Sequence, residues 1–202
     1  MNKGERTRKD IIEKAFLMAG EIGLEAVSLG ALAGETGLSK SGLFAHFKSK
    51  EALQLEVIDE VTRRFTESVM RPALTQPRGE PRVRVFFERY LDWIAHSRPN
   101  GGCMYMSLFH EYDDRPGLIR DRLVASHVDF CNTLSRIVNT AMSEGHFRPD
   151  VDVDLFVFEF NGIEMAYHHQ LKFLQLPRAL ELARAAFEHL LARSRAPSDQ
   201  LT

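Results

Sequence analysis

Lys40, Ser41, Gly42, Phe44 and His46 sit close together in the run Ser39-Lys40-Ser41-Gly42-Leu43-Phe44-Ala45-His46-Phe47. An ammonium, hydroxyls and an imidazole held side by side suit phosphate oxygens and the donor and acceptor edges of bases. At helical spacing Leu43 and Phe47 turn inward and the others outward. An outward face this small, polar and basic fits a DNA major groove better than a protein core.

Two short helices must present that face. Ser28 and Ser39 can each open one, accepting the first free backbone N–H groups. Gly37 lies between them, where a tight turn calls for positive φ. Leu29, Leu32 and Ala33 face one way, and Leu38, Leu43 and Phe47 can pack against them. Two helices joined by a Gly-containing turn have the geometry of a helix-turn-helix. Ahead of them, Ile12, Ala15, Phe16, Ala19 and Ile22 form the stripe of a first helix that Gly23 can end. Behind them, Ser49 caps a longer helix with the stripe Leu53, Val57, Val61, Phe65 and Val69, and Glu51 in its first turn suits the helix dipole. Pro72, Pro77, Gly79 and Pro81 predict that this helix stops between Arg71 and Arg82, the best internal linker.

The remainder also reads at helical period, and no stretch alternates as a strand. Val83, Phe86, Phe87, Tyr90, Leu91 and Ile94 mark a fifth helix that ends at Pro99-Asn100-Gly101-Gly102. A short helix follows around Cys103–His110. Leu123, His127, Phe130, Leu134, Ile137 and Ala141 mark a long one, closed by Gly145 and Pro149. Asp152 can cap the eighth helix, and Pro177 separates it from the ninth. The pattern predicts an all-α chain of about nine helices: a three-helix head in residues 1–50, a larger helical body in 51–194, and a polar, fraying tail in 195–202.

The eighth helix is apolar on two sides. Phe156, Phe160, Ile163 and Tyr167 lie along one face, and Leu155, Phe158, Gly162, Ala166 and Phe173 along another. A helix of this kind must be buried on both sides; one side can meet its own core and the other a second copy of the chain, the alternative being a central helix in a monomer. Leu180, Phe187 and Leu191 of the ninth helix are expected to complete that four-helix contact, so the homodimer should form through helices near 152–174 and 178–193.

Among 202 residues, 26 Lys and Arg stand against 28 acids, a net charge of −2 that argues against indiscriminate coating of nucleic acid. Residues 1–50 hold eight basic and six acidic side chains, leaving 18 basic against 22 acidic beyond. A basic head on an acidic body fits a DNA contact confined to one end. No apolar run reaches membrane-spanning length, and the N-terminus is charged where a secretion signal needs a hydrophobic stretch. These features predict a cytoplasmic protein. The two cysteines, Cys103 and Cys131, do not make a disulfide framework.

The run from Thr7 to Leu53 resembles the DNA-binding domain of the tetracycline-repressor (TetR/AcrR) family of one-component transcriptional regulators. The string Gly37-Leu38-Ser39-Lys40 … Leu43-Phe44-Ala45-His46-Phe47-Lys48-Ser49-Lys50-Glu51-Ala52-Leu53 carries the likeness. Gly101-Gly102-Cys103 with Glu111-Tyr112-Asp113-Asp114-Arg115-Pro116-Gly117 is similar to a common type of family ligand domain. The resemblance implies that Ser28 caps a helix and touches a phosphate, that Ser39 caps the reading helix, and that Lys40, Ser41 and Gly42 face bases or nearby backbone. His46 and Lys50 match phosphate contacts, and an arm carrying Lys3, Arg6, Arg8 and Lys9 is expected to add another. Phe44 departs from the family's usual Tyr and loses a phosphate-bonding hydroxyl. Gly42 stands where Ser, Thr or Ala is frequent.

The implied protein is a repressor that binds a palindromic double-stranded operator as a homodimer and is released by a small-molecule effector in its C-terminal domain. Trp93, Met104, Met106, Phe109, Phe130, Phe160 and Tyr167 are candidates to line the effector cavity, with His110, Glu164 and His168 as polar handles. Most aromatic and Met residues at helical spacing are simply core. Cys103, near a helix start, is either a sensor of electrophiles or a buried inert thiol. No cofactor or metal is expected: His168 and His169 cannot face the same way on a helix, and no zinc-protease, phosphate-loop or nucleophile motif is present. A regulator that answers to a protein partner, an activator, and an all-helical enzyme remain as alternatives.

Overall fold

The computed structural model describes residues 3–98 and 102–197, and their regular elements are nine helices and a single isolated bridge. They are α1 (Lys3–Ile22), α2 (Leu29–Thr36), α3 (Lys40–His46), α4 (Lys50–Phe65), α5 (Glu80–His96), α6 (Met104–Tyr112), α7 (Leu118–Ser143), α8 (Val153–Lys172) and α9 (Ala179–Ser194). α4 continues through a π-helical turn (Thr66–Met70) into a last α turn (Arg71–Leu74). The turn at Pro99-Asn100-Gly101 and the tail beyond Pro197 lie outside the described residues, as does the side chain of Lys3.

Local chemistry explains most boundaries. Ser28 Oγ accepts the Ala31 N–H at 3.1 Å, Ser39 Oγ that of Gly42 at 3.1 Å, Ser49 Oγ that of Ala52 at 3.0 Å and Asp152 Oδ1 that of Leu155 at 3.0 Å. Each fills a donor that a helix start leaves bare. Gly37 closes α2 at φ 67°, a left-handed conformation that costs glycine nothing.

Two expectations are corrected. The basic arm is part of α1, which starts at Lys3, and its Arg8 is turned onto the protein, where it bonds the His46 carbonyl and Glu56 and lies over the Phe47 ring. α4 ends at Leu74, inside the stretch expected to stop it, and carries Pro72 in its last turn. The wider π turn immediately before absorbs the missing N–H and the ring that would otherwise crowd the preceding turn. The tail does not fray at once: the Arg148 N–H bonds the Ser194 carbonyl at 2.8 Å, the Ala196 N–H bonds the His146 carbonyl at 3.1 Å, and Arg195 pairs with Glu80 at 2.6 Å.

The chain forms two compact units. One holds α1–α3, α4 as far as Arg64, α6, and α7 as far as Ser126; the other holds Phe65–Ser97 and the chain from His127 onward. In the first, Phe16, Leu24, Leu32, Leu43, Phe47, Leu53 and Ile58 are buried. The second has an aromatic core. Phe87 stacks on Phe187 at 3.8 Å, Phe86 meets Phe130 at 5.5 Å and Phe160 at 6.1 Å, and Phe65 packs edge-on against Trp93 at 5.5 Å.

Candidate functional site

The helix-turn-helix face is built as its sequence dictates. Lys40, Ser41 and Phe44 are exposed on α3, Gly42 and His46 are half-buried, and Leu43 and Phe47 are in the core. Ser39 Oγ lies 3.0 Å from Ser41 Oγ, which ties the capping hydroxyl to the first outward one. A methyl group on Gly30 of α2 would come within 3.2 Å of Lys40 Cε, so that glycine leaves room for the ammonium's stem.

The basic residues of this head fall into two classes. Arg6, Lys9, Lys40 and Lys48 form no ion pair among the described residues. Arg8, Lys14 and Lys50 are engaged with Glu56, Glu35 and Glu25. Lys50 Nζ donates to both the Glu25 carboxylate at 2.6 Å and the Glu25 carbonyl at 2.5 Å, and holds that carboxyl below the usual range. Its expected role at a phosphate therefore competes with an intramolecular bond.

The end of α6 is fastened to the turn between α1 and α2. Glu111 accepts the N–H groups of Leu24 at 2.9 Å and Glu25 at 2.6 Å, and a methyl group on Gly23 would come within 3.1 Å of the same carboxylate. Arg98 grips the Gly20 carbonyl at 2.8 Å through Nε and bonds Ser107 of α6. Tyr112 donates to Glu25 at 3.2 Å, and Gln54 of α4 bonds the Tyr112 hydroxyl at 3.2 Å and the Leu24 carbonyl at 3.1 Å. Burial first, then the charges of Glu111 and Glu25, push the Tyr112 hydroxyl up in pKa, so it remains a donor at neutral pH. Sequence reasoning singled out none of these residues as a site. The available signal was the Glu111-Tyr112 pair inside the segment similar to family ligand domains.

The expected effector residues are divided. Trp93, Phe130, Phe160, Glu164 and Tyr167 are buried in the second unit, and His168 is half-buried there. Met104 and Met106 are buried and Phe109 half-buried in α6, which belongs to the first unit. His110 is exposed near the end of α6, although it lies one turn beyond the buried Met106, and it is no inner handle. Among the described residues neither carboxylate oxygen of Glu164 nor the indole N–H of Trp93 has a hydrogen-bond partner. Burial raises the Glu164 carboxyl well above its ordinary pKa, with the nearby Cys131 adding to the shift. Cys103 is fully buried. Among the described residues no group of three or more His, Cys, Asp or Glu is arranged to hold a metal, and no helix is long and apolar enough to cross a membrane.

The outer face of α8 is open in the single chain: Phe158 is 75% exposed, Phe173 76%, and Leu155, Gly162 and Ala166 are exposed with them. Beside it runs a groove floored by Gly162, Ala166, Ala183 and Ala186 of α8 and α9. The contribution of α9 is corrected in part: Leu180 is exposed as expected and Leu182 with it, but Phe187 and Leu191 are buried in the core, Phe187 against Phe87.

Comparison with known proteins agrees with this architecture. Residues 11–57 match the family described as bacterial regulatory proteins, tetR family, and residues 79–187 match the tetracyclin repressor-like C-terminal domain. The HTH-type transcriptional repressor KstR2 of Mycobacterium tuberculosis (strain ATCC 25618 / H37Rv) is 27% identical over 171 residues, covering 76% of this chain and 74% of the repressor. A TetR transcriptional regulator from Chloroflexus aurantiacus J-10-FL has the same fold, with a TM-score of 0.84 at 24% identity over 98% of this chain and all of that one. AibR, solved in complex with isovaleryl coenzyme A and operator DNA, shares the fold with a TM-score of 0.71 at 19% identity over 93% of this chain and 99% of its own.

Proposed function

The chain belongs to the TetR family of bacterial regulatory proteins, and from that premise we propose that it is a transcriptional repressor that binds a palindromic operator as a homodimer and lets go when a small molecule enters its C-terminal domain. Residues 1–50 serve as the DNA head and 51–194 as the effector-binding and dimerisation body. The observation that carries the reading is the α3 face, where Lys40, Ser41 and Phe44 are exposed and Lys40 is free of any ion pair among the described residues. Gly42, His46 and Arg6 extend that face, and Ser28 and Ser39 hold it through their caps. Two such faces must stand about 34–36 Å apart to enter successive major grooves.

Release requires that the effector favour a conformation unfit for DNA. Coupling of about 1–3 kcal/mol relieves repression several-fold, while a nearly complete switch needs about 5.5 kcal/mol. The unbonded, buried Glu164 favours a small-molecule signal over a protein one, since a partner protein cannot reach a fully buried carboxyl. The protein acts by binding, not by catalysis, and works in the cytoplasm with its DNA.

The test is binding to DNA from immediately upstream of its own gene at about 50 and about 200 mM salt, where phosphate contacts make affinity fall steeply. Lys40→Ala should weaken binding and reduce the salt slope by about one, and His46→Ala should weaken it further. Binding to this DNA no tighter than to random DNA, unchanged by either substitution, would remove α3 from the reading role.

A further inference from the structure

Phe156, Val157, Phe160, Glu164 and Tyr167 form the buried face of α8. Glu164 is the one carboxylate among them, with no exposed surface. Across from this face, Phe160 meets Phe86 of α5, and Asn161 donates to Cys131 of α7 at 3.7 Å. Cys131 in turn lies 3.6 Å from His127 Nε2. Burial lowers the His127 imidazole pKa and raises those of the Cys131 and Tyr167 side chains, so each stays uncharged near neutrality. Burial raises the Glu164 carboxyl and the neighbouring Cys131 adds to the shift, while His168, one turn further along α8, is the nearest imidazole on its own helix. A polar group buried without bonds opposes folding, and a buried charge does so far more. Among the described residues neither oxygen of Glu164 has a hydrogen-bond partner.

We propose that Glu164 anchors the effector, and that the effector is an apolar molecule carrying one basic nitrogen. This rests on the reading of the chain as a ligand-released repressor. An ammonium group bonds both bare oxygens at once and brings the charge that the surrounding wall lacks. Phe160, on the same face of α8, is linked through Phe86 to Phe130, which packs on Tyr90 and Phe65, and Phe65 on Trp93, so aromatic rings of the kind that attract a cation make up the core of this unit. A carboxylate or phosphate headgroup meets Glu164 with no cation to neutralise either. A carbonyl uses only the proton of the neutral acid and leaves the other oxygen bare.

Trp93 is the sole tryptophan and lies in this cluster, so its fluorescence reports occupancy. The probes are phenylbutylamine, phenylbutanol and phenylbutyrate, which share one hydrocarbon and differ in the headgroup. The wild-type protein should bind the amine at least about tenfold more tightly than the alcohol and the acid least. Glu164→Gln should abolish the amine preference while keeping alcohol binding, which also shows that the variant is folded. Because ion pairing displaces the carboxyl proton, amine affinity should rise about tenfold per pH unit while Glu164 is protonated in the free protein, and alcohol affinity should not. Equal binding of amine and alcohol, preference for the acid, or an unchanged preference in Glu164→Gln overturns the proposal but leaves the ligand-released reading standing. No binding of any probe overturns the proposal, and retained upstream-DNA binding in that case keeps the repressor reading apart from it. Loss of upstream-DNA binding with the amine preference intact sinks the repressor reading alone.

Discussion

Glu111 accepts the backbone N–H of Leu24 at 2.9 Å, although 87 residues separate them in the chain. The acceptor closes α6, and the donor opens the turn that leads from α1 to the helix-turn-helix. Glu25 is its second donor, and Arg98, which also bonds Ser107 of α6, holds the Gly20 carbonyl.

Glu111→Ala should lower unfolding free energy by about 1–3 kcal/mol, since it strips two backbone donors of a charged acceptor. Glu111→Gln keeps one acceptor oxygen and should fall between wild type and Ala. Urea denaturation gives the ranking, and DNA affinity should follow it. Wild-type stability in Glu111→Ala would mean that water replaces the carboxylate without loss.

Phe158→Asp places a charge on the open face of α8, where Phe158 is 75% exposed. A dimer built on this face should dissociate to monomers in sedimentation experiments, with helical content unchanged and operator affinity lost. An intact dimer would move the interface elsewhere.

The Glu164 carboxyl has a folded-state pKa raised by burial above its unfolded value of about 4.3. For an acid shifted in that direction the folded state is favoured fully below the unfolded pKa and loses stability as pH rises toward the folded one. Glu164→Gln should therefore match wild type most closely near pH 4 and exceed it in thermal stability increasingly toward pH 8. A stability difference that does not vary with pH would show that the carboxyl is not held neutral.

Features set by neighbouring residues were legible in the sequence. Ser28, Ser39, Ser49 and Asp152 act as caps, Gly37 turns left-handed, and the stripe of α4 is buried from Leu53 to Val69. What depended on distant partners was not legible. Arg8 looks like a free cation until His46 and Glu56 are folded beside it, Lys50 is drawn to Glu25, and Phe187 reads as equally able to face a partner until Phe87 stacks on it. Glu164 was one of three polar handles named with His110 and His168, and the sequence alone did not tell which of them is buried. His110 misled because the neighbouring Met and Phe spacing fixes no inward side for a helix of only nine residues.

The π turn at Thr66–Met70 sets a counting rule for α4. Its buried residues Leu53, Val57, Val61, Phe65, Val69 and Ala73 recur every fourth position. On a regular α-helix each such step overshoots a full turn by about 40° and the stripe winds off the core. The wider turn rotates less per residue and takes up part of that overshoot, so the stripe keeps its heading to Ala73. Residue number in this segment is consequently as constrained as residue type. Removing any single residue between Thr66 and Met70 would restore an ordinary helix and swing everything after it by roughly a quarter turn, a harsher change than most substitutions at the same positions.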